Sequence, residues 1–191
     1  MESIGFADAY VTYLAHFHGT RDYFECHELL EEHWKEEQDP LLKEVWHGLI
    51  QVAVSLYHER RGNLPGARKM LEQAVIHLTN VSPERAGLDP VKLLEQLRAR
   101  YDALTQEYGT EAEARIFEDM ALPFLDGGLL REAMDLCKAW GCEWGRRSPM
   151  NEDMLVHRHL LRDRTDVVAE RDRQLALRRQ SQPDVTERDG I

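Results

Sequence analysis

Cysteine and long apolar runs are scarce in this sequence of 191 residues. No stretch approaches the roughly 20 consecutive apolar residues that a membrane-spanning helix needs, so we expect no membrane partner. Residues 1–5 lack the basic and apolar regions of a secretory signal. The three cysteines, Cys26, Cys137 and Cys142, form neither an even disulfide set nor a CxxC zinc signature. These absences predict a cytoplasmic protein in a reducing environment.

Positive charge is also in short supply, with 24 Lys and Arg against 35 Asp and Glu and a net charge of −11. Residues 1–60 hold 12 acidic and 4 basic side chains, a net of −8. Nucleic-acid binding needs a cationic surface, so we expect no nucleic-acid partner. Residues 157–191 alternate 8 basic with 7 acidic side chains, which is typical of a salt-bridged helix. The acidic N-terminal face and this helix are expected to be available to a protein partner or to self-association.

No segment alternates apolar and polar residues as a half-buried strand does, so the predicted fold class is all-α. We expect a compact helical bundle with a core at residues 1–110, a C-terminal helical extension at 111–180 and a disordered tail at 181–191. A long last helix is part of that extension. The predicted helices cover about residues 4–18, 21–37, 40–61, 64–78, 90–108, a short segment after Thr110, 129–140 and 152–179.

Helix starts are marked by residues that favour capping. Asp39-Pro40 and Asp89-Pro90 each place proline directly after a capping aspartate, and Thr20, Asn63 and Asn151 are the other predicted caps. A partial tetratricopeptide-like pattern follows the third helix, since Gly62, Ala67, Leu71 and Ala74 match the turn and second helix of that repeat. The pattern does not recur in phase, so it predicts a central helical hairpin rather than a solenoid.

His27 lies on an apolar helix face with Phe24, Leu30 and Trp34, and Glu31 follows at the i, i+4 spacing that lets two side chains meet. Glu28 lies near the boundary of that face. A buried polar group needs a partner, because leaving it unpaired costs about 1–3 kcal/mol. The pattern therefore predicts a polar cluster at this point of the second helix.

The third helix offers a partner in the polar stripe His47, Gln51, Ser55 and His58. If helices two and three pack antiparallel, this stripe faces His27 and offers ligands that transition metals take. Two simpler interpretations stay open. In the first, the stripe is the solvent-exposed face of its helix. In the second, His27 is a core histidine that is hydrogen-bonded to Glu31. The zincin motif HExxH is excluded because Glu31 replaces its second histidine.

Two segments resemble a known family, domain of unknown function 309. The first is His16-Phe17-His18-Gly19-Thr20-Arg21-Asp22-Tyr23-Phe24-Glu25-Cys26-His27-Glu28 with Leu30-Glu31 and Trp34, and the second is His47-Gly48-Leu49-Ile50-Gln51-Val52-Ala53 with Tyr57-His58, Gly62-Asn63 and Gly66-Ala67. The resemblance covers residues 15–80, and the part around 159–164 looks like the long Bacillus-type members. It implies a helical, cytoplasmic, bacterial protein with no assigned activity, and it implies a joint role for the motif residues His27, Glu28, Glu31, Trp34, His47, Gly48 and Gln51.

The leading hypothesis is a non-catalytic protein in which a polar cluster forms a buried hydrogen-bond network between helices two and three. The candidate cluster residues are His27, Glu28, Glu31, Trp34, His47, Gln51 and His58. One alternative is a metal-dependent, hydrolase-like enzyme. In that enzyme His27, Glu31 and His47 hold a divalent transition metal, and Glu28 acts as a base. A small-ligand-binding module at the same residues is the other alternative.

Overall fold

A computed structural model describes residues 6–106 and 116–161, and over these ranges the regular structure is helical. An isolated antiparallel bridge joins Leu88 to Phe124. The all-α prediction is therefore confirmed. The helices are α1 (Asp8–Ala15), α2 (Tyr23–Glu36), α3 (Pro40–Arg60), α4 (Leu64–Thr79), α5 (Pro90–Thr105), α6 (Gly127–Ala139), α7 (Asp153–Val156) and α8 (Arg158–Leu161). A π-helical turn covers His16–Thr20 and a 3₁₀ turn covers Pro83–Ala86.

The centre of the fold is the hairpin of α3 and α4, whose helices share the most extensive contact of any pair in the described chain. Ser55 in α3 donates a buried hydrogen bond to the carbonyl of Ala67, near the start of α4. Gly48, nearer the start of α3, faces Leu78 near the end of α4. This order of contacts is antiparallel, so the predicted hairpin is confirmed. Its likeness to a tetratricopeptide repeat stays a prediction.

Local sequence sets most helix starts. Asp39 accepts hydrogen bonds from the backbone of Leu41 and Leu42, and Asp89 accepts from the amides two and three residues further on. Asn63 accepts from the Gly66 amide. Each side chain satisfies amides that lack a partner in the first helical turn. These three caps were predicted correctly.

The start of α2 differs from the prediction. Asp22, and not Thr20, accepts a hydrogen bond from the Glu25 amide. The Thr20 hydroxyl instead contacts His16 one turn earlier. The reason is the π-helical turn, which ends with Arg21 in the left-handed conformation at φ 59°. The π-helical turn has one more residue than an α-helical turn would have, and the capping residue is Asp22, two positions after Thr20.

The C-terminal part corrects the prediction of a long last helix. In the described chain, two four-residue helices stand in place of its beginning, and His157 interrupts them with φ −117° and ψ 25°. The remainder of that helix, the end of the fifth helix near Gly109, most of the sixth and the tail at 181–191 lie outside the described residues. Residues 116–121 are not helical, so the short helix predicted after Thr110 does not extend into them.

Residues up to Arg158 form one unit, and a second unit begins at His159, of which the end of α8 is described. The core of the first unit includes residues from α6 such as Leu129 and Ala133, and α6 packs against α1. The predicted division at residue 110 falls outside the described residues and stays a prediction. None of the helices in the described part of the chain has the length and apolar character of a membrane span.

The sequence analysis did not predict a pairing of cysteines. Cys137 and Cys142 form a disulfide across the end of α6, whereas Cys26 is a buried free thiol. The two half-cystines lie five residues apart, a spacing that matches no zinc or redox signature. They meet because the chain turns back at Gly141, which has φ 71°. Gly19 packs so closely on them that a Cβ there would overlap both sulfur atoms.

Gly48→Ala is expected to destabilise the hairpin. A Cβ at this position would lie 2.5 Å from Cγ of Leu78, whose fully buried side chain would have to shift. Overpacking of this kind costs about 1–3 kcal/mol, partly offset by the higher helix propensity of alanine. Thermal unfolding measures the change, and Gly127→Ala at the exposed start of α6 is the control, because its Cβ would meet no close neighbour. Equal melting temperatures for both variants and the parent would contradict the close packing.

Candidate functional site

Helix α2 presents its candidate site at the edge of the core. Tyr23, Cys26 and Leu30 are its fully buried residues and hold the helix against the rest of the fold. His27, Glu28 and Glu31 flank that buried stripe and are partly exposed. The helix therefore fixes the backbone of the site, while the side chains reach solvent.

The three side chains of α2 converge. The His27 Nδ1 atom lies 3.3 Å from Oε1 of Glu28, and its Nε2 atom lies 3.2 Å from Oε2 of Glu31. One ligand atom from each residue falls within 4.8 Å of the others, the spacing of a group able to hold a metal ion. The predicted i, i+4 contact of His27 with Glu31 is confirmed. We call His27, Glu28 and Glu31 the α2 triad.

The expectation that His27 is withdrawn from water is wrong. Its side chain is 30% exposed, and those of Glu28 and Glu31 are 32% and 35% exposed. Its ion pairs, and its ring contact with Phe24, all lie within α2. Contacts of His27 with its own helix do not hold α2 against α3. The leading hypothesis of a buried network between these helices therefore loses its geometric basis at His27.

Glu31 is held in its charged form. The Lys35 ammonium lies 2.9 Å from Oε1 of Glu31. Its hydrogen bond is the main cause that lowers the pKa of the Glu31 carboxyl, and the charge of His27 contributes in the same direction. The other oxygen, Oε2, faces His27. The triad thus offers an ionised carboxylate oxygen at neutral pH.

His47 belongs to a different polar group, which faces α4. Its ring centroid lies 4.1 Å from that of His77 and 5.2 Å from Trp34, and Gln51 contacts its Nε2 atom at 3.2 Å. The His77 ring in turn contacts Oε2 of Glu44 at 2.6 Å. Burial, with the charge of His77, lowers the pKa of His47. Among the described residues, the group that can hold a metal is His27, Glu28 and Glu31. Glu28 is therefore the third ligand, in place of the predicted His47.

The rest of the predicted stripe also faces α4 rather than α2. Ser55 bonds to the Ala67 carbonyl, and the His58 ring contacts the Asn63 amide group at 3.0 Å at the turn of the hairpin. Burial lowers the pKa of His58. His58 therefore contributes to the hairpin turn. The structure divides the seven predicted residues among three places: the α2 triad, the group of Trp34, His47 and Gln51, and the turn at His58.

Sequence reasoning missed a set of buried charges beside the π-helical turn. Arg60 donates to the carbonyl of Arg21, and Arg158 pairs with the carboxylate of Asp22. Glu59 is paired with Arg100 at 2.8 Å. Partners 39 to 136 positions apart leave no periodic signal, and a charged residue at a helix end is ordinarily solvated. The buried members are Arg21, Asp22, Glu59 and Arg60.

The profile of a family described as "Domain of unknown function (DUF309)" matches residues 10–70. The chain is 37% identical over 175 residues to "Uncharacterized protein YpuF" of Bacillus subtilis (strain 168), covering 91% of this chain and 97% of that protein. It is 28% identical over 98 residues to an "Uncharacterized protein" of Aquifex aeolicus (strain VF5), covering 50% of this chain and 28% of that protein. No solved structure matches the chain. The matched range 10–70 holds the α2 triad and the stripe of α3.

Proposed function

This chain belongs to the DUF309 family, a membership that brings no activity with it, and we propose from its geometry that it binds a divalent transition-metal ion through the α2 triad. The observation that carries the proposal is the convergence of His27, Glu28 and Glu31 within 4.8 Å. An imidazole nitrogen with two carboxylate oxygens is a ligand set that zinc, manganese and iron accept.

The charge of the region supports a cation. Residues 1–60 carry a net charge of −8, so the local potential favours a cation over an anion. Lys35 neutralises one oxygen of Glu31, and the other remains directed at His27. A metal would replace the ion pairs of the triad with stronger coordination bonds, with no change of the helix backbone.

The exposure of the triad bears on what the metal does. Three protein ligands at 30–35% exposure leave the remaining coordination positions to water, as in catalytic rather than structural zinc sites. This observation favours a metal-dependent hydrolase as a second candidate function. In that version Glu28 is a ligand, and not the base that the sequence suggested. A metal-bound water would be the nucleophile.

Metal binding by tag-free protein tests the proposal. Isothermal titration with Zn²⁺ and Mn²⁺ should give one site per chain, and His27→Gln should weaken the affinity by about tenfold or more, because one of three ligands is lost. Glu31→Gln should do the same. Glu32→Gln is the matched control, since it removes the same charge from an exposed position on the same helix and should leave the affinity unchanged.

Two results would contradict the proposal. The first is the absence of stoichiometric binding by the parent protein with either ion. The second is equal affinity in the Glu31 and Glu32 variants, which would show that overall negative charge, and not the triad, attracts the metal. A melting temperature lowered in His27→Gln without any dependence on metal would instead support a structural role for the cluster.

A further inference from the structure

A cavity beside Arg21, the residue that follows the π-helical turn, is lined by groups suited to binding an anion. Its volume is about 450 Å³, within the range of small-molecule sites. It shares no residue with the α2 triad, so an anion could bind here whether or not the triad holds a metal. The residues that give the cavity this chemistry are Arg21, Phe117, Asp119, Arg146, Arg147 and Ser148.

Arg21 is a buried cation held in place by neutral groups. Its side chain lies in the wall of the cavity and the residue is 4% exposed. Nε donates to the carbonyl of Arg146 at 2.7 Å, and Nη1 donates to the carbonyls of Phe17 and Met120 at 2.9 and 3.0 Å. Nη2 has no hydrogen-bond partner among the described residues and is not one of the nitrogens sealed from solvent. A fixed guanidinium with two free N–H groups is preorganised to bind an oxyanion.

Two further arginines border the same cavity. Arg146 donates through Nη2 to the Thr20 carbonyl at 3.3 Å, while its Nη1 has no hydrogen-bond partner among the described residues and is not one of the nitrogens sealed from solvent. Arg147 is exposed and makes no hydrogen bond or ion pair with the part of the chain that is described. Both side chains therefore have donors to offer to a ligand.

The acidic residues at the cavity are occupied or exposed. Asp119 accepts from the Tyr23 hydroxyl at 2.8 Å and from the amide and hydroxyl of Ser148 at 2.6 and 2.5 Å, and it lies 3.7 Å from Nε of Arg21. Glu118 is exposed, and its carbonyl accepts from Arg100. Three arginines against these two carboxylates leave a net positive charge at the cavity. Asp119 is engaged by other donors and does not use Nη2 of Arg21.

From this geometry we infer that the cavity binds a small organic molecule through an oxyanion head group, a carboxylate or a phosphate. Nη2 of Arg21 and the guanidinium groups of Arg146 and Arg147 hold the oxygens. The aromatic ring of Phe117 and the side chain of Met150 line the same space and contact the apolar part of the ligand. Arg21 sets the position of the head group, because three backbone carbonyls fix its orientation.

Titration of the full chain with three probes that share a phenyl ring tests this inference. The probes are phenyl phosphate, benzoate and the neutral benzyl alcohol, measured by isothermal titration and thermal unfolding at low ionic strength. We expect phenyl phosphate, benzoate or both to bind and to raise the melting temperature, and benzyl alcohol to do neither. Binding of phenyl phosphate alone identifies a phosphate head group, and binding of benzoate alone identifies a carboxylate.

Arg147→Gln is the informative variant, because the side chain is exposed and its loss should not affect folding. It should weaken the affinity for the bound probe by about tenfold or more, the effect of losing one charge-assisted hydrogen bond. Arg131→Gln, an exposed arginine of α6 that does not line the cavity, should leave the affinity unchanged. The inference is overturned if neither anion binds, if benzyl alcohol binds equally well, or if the two variants have the same affinity.

Discussion

Arg60→Met should lower the free energy of unfolding by about 3 kcal/mol and the melting temperature by about 6–12 °C. Arg60 is 3% exposed and lies at the end of α3. Its Nη1 donates to the carbonyl of Arg21 at 2.6 Å and to the Ser148 hydroxyl at 3.3 Å, and its Nη2 donates to the carbonyl of Leu155 at 3.0 Å. Methionine keeps the apolar stem but leaves these acceptors without a donor.

The size of this effect is a consequence of burial. The guanidinium lies 4.9 Å from the ring centroid of Tyr23. Burial lowers the pKa of Arg60, whereas the nearby Tyr23 and the carboxylates of Asp22 and Asp119 raise it. Removing one partner of a buried charge group costs more than the pair contributes, because the remaining partners stay buried without compensation. Such a loss is a large part of a total stability of about 5–15 kcal/mol.

Chemical denaturation with a matched variant checks the prediction. Arg68→Met is the control, since Arg68 is exposed on α4 and its replacement should change stability by less than about 0.5 kcal/mol. Hydrogen exchange should also become faster around residues 148–155 in Arg60→Met, because Arg60 connects this segment to α3. A variant as stable as the parent would show that the guanidinium does not connect these elements.

Lowering the pH from about 6.5 towards 3 should destabilise the protein through His18. This histidine is 2% exposed, and its ring stacks on Trp144 at 4.5 Å. Burial, assisted by the charge of Arg21, lowers the pKa of His18 to about 3. The unfolded chain, whose histidine titrates near 6.5, takes up a proton in this window while the folded chain does not. Stability therefore falls with pH by up to about 1.4 kcal/mol per unit from this group.

His18→Gln separates this contribution from that of the carboxylates. The amide oxygen of glutamine can accept from the Leu122 amide as Nε2 of His18 does at 3.4 Å, and it does not titrate. We expect the variant to lose less stability than the parent between about pH 6.5 and 3, measured by denaturant titration at each pH. His33→Gln, at a partly exposed position of α2, should retain the slope of the parent. Equal slopes in all three proteins would contradict the assignment.

Much of the fold can be predicted from short-range patterns. Asp39-Pro40 and Asp89-Pro90 start α3 and α5 where predicted, because a capping carboxylate satisfies the nearest free amides irrespective of the rest of the chain. One of the two contacts of the α2 triad was predicted for the same reason. The contact of His27 with Glu31 needs one helix and a spacing of four. Glu28 was predicted as a member of the polar cluster, and in the metal-enzyme alternative as a base and not as a ligand. Its reach toward His27 depends on side-chain torsions, which the helix period does not give.

The predictions were wrong where a second helix decides the surroundings of a residue. The helical wheel placed His27 among apolar residues, but its exposure depends on how the neighbouring elements cover it, which the wheel does not give. The stripe of His47 and Ser55 was expected to face His27 of α2. Ser55 instead bonds to α4, and the His47 ring contacts His77 of α4 as well as Trp34 of α2. Gly48 lets Leu78 of α4 approach closely on that side. The π-helical turn also escaped prediction, since no rule of spacing separates its five residues from an ordinary helix end.

The sequence by itself determined the helical class, the hairpin of α3 and α4, most caps and the residues of α2 that meet at one turn of helix. Each of these depends on interactions within a few residues, whose geometry the backbone period sets. Tertiary structure alone decided the burial of the charges of Arg21 and Arg60 and the cavity beside Arg21. Those features join segments distant in sequence, and a charge is stable in the interior only after the fold has brought its partners around it.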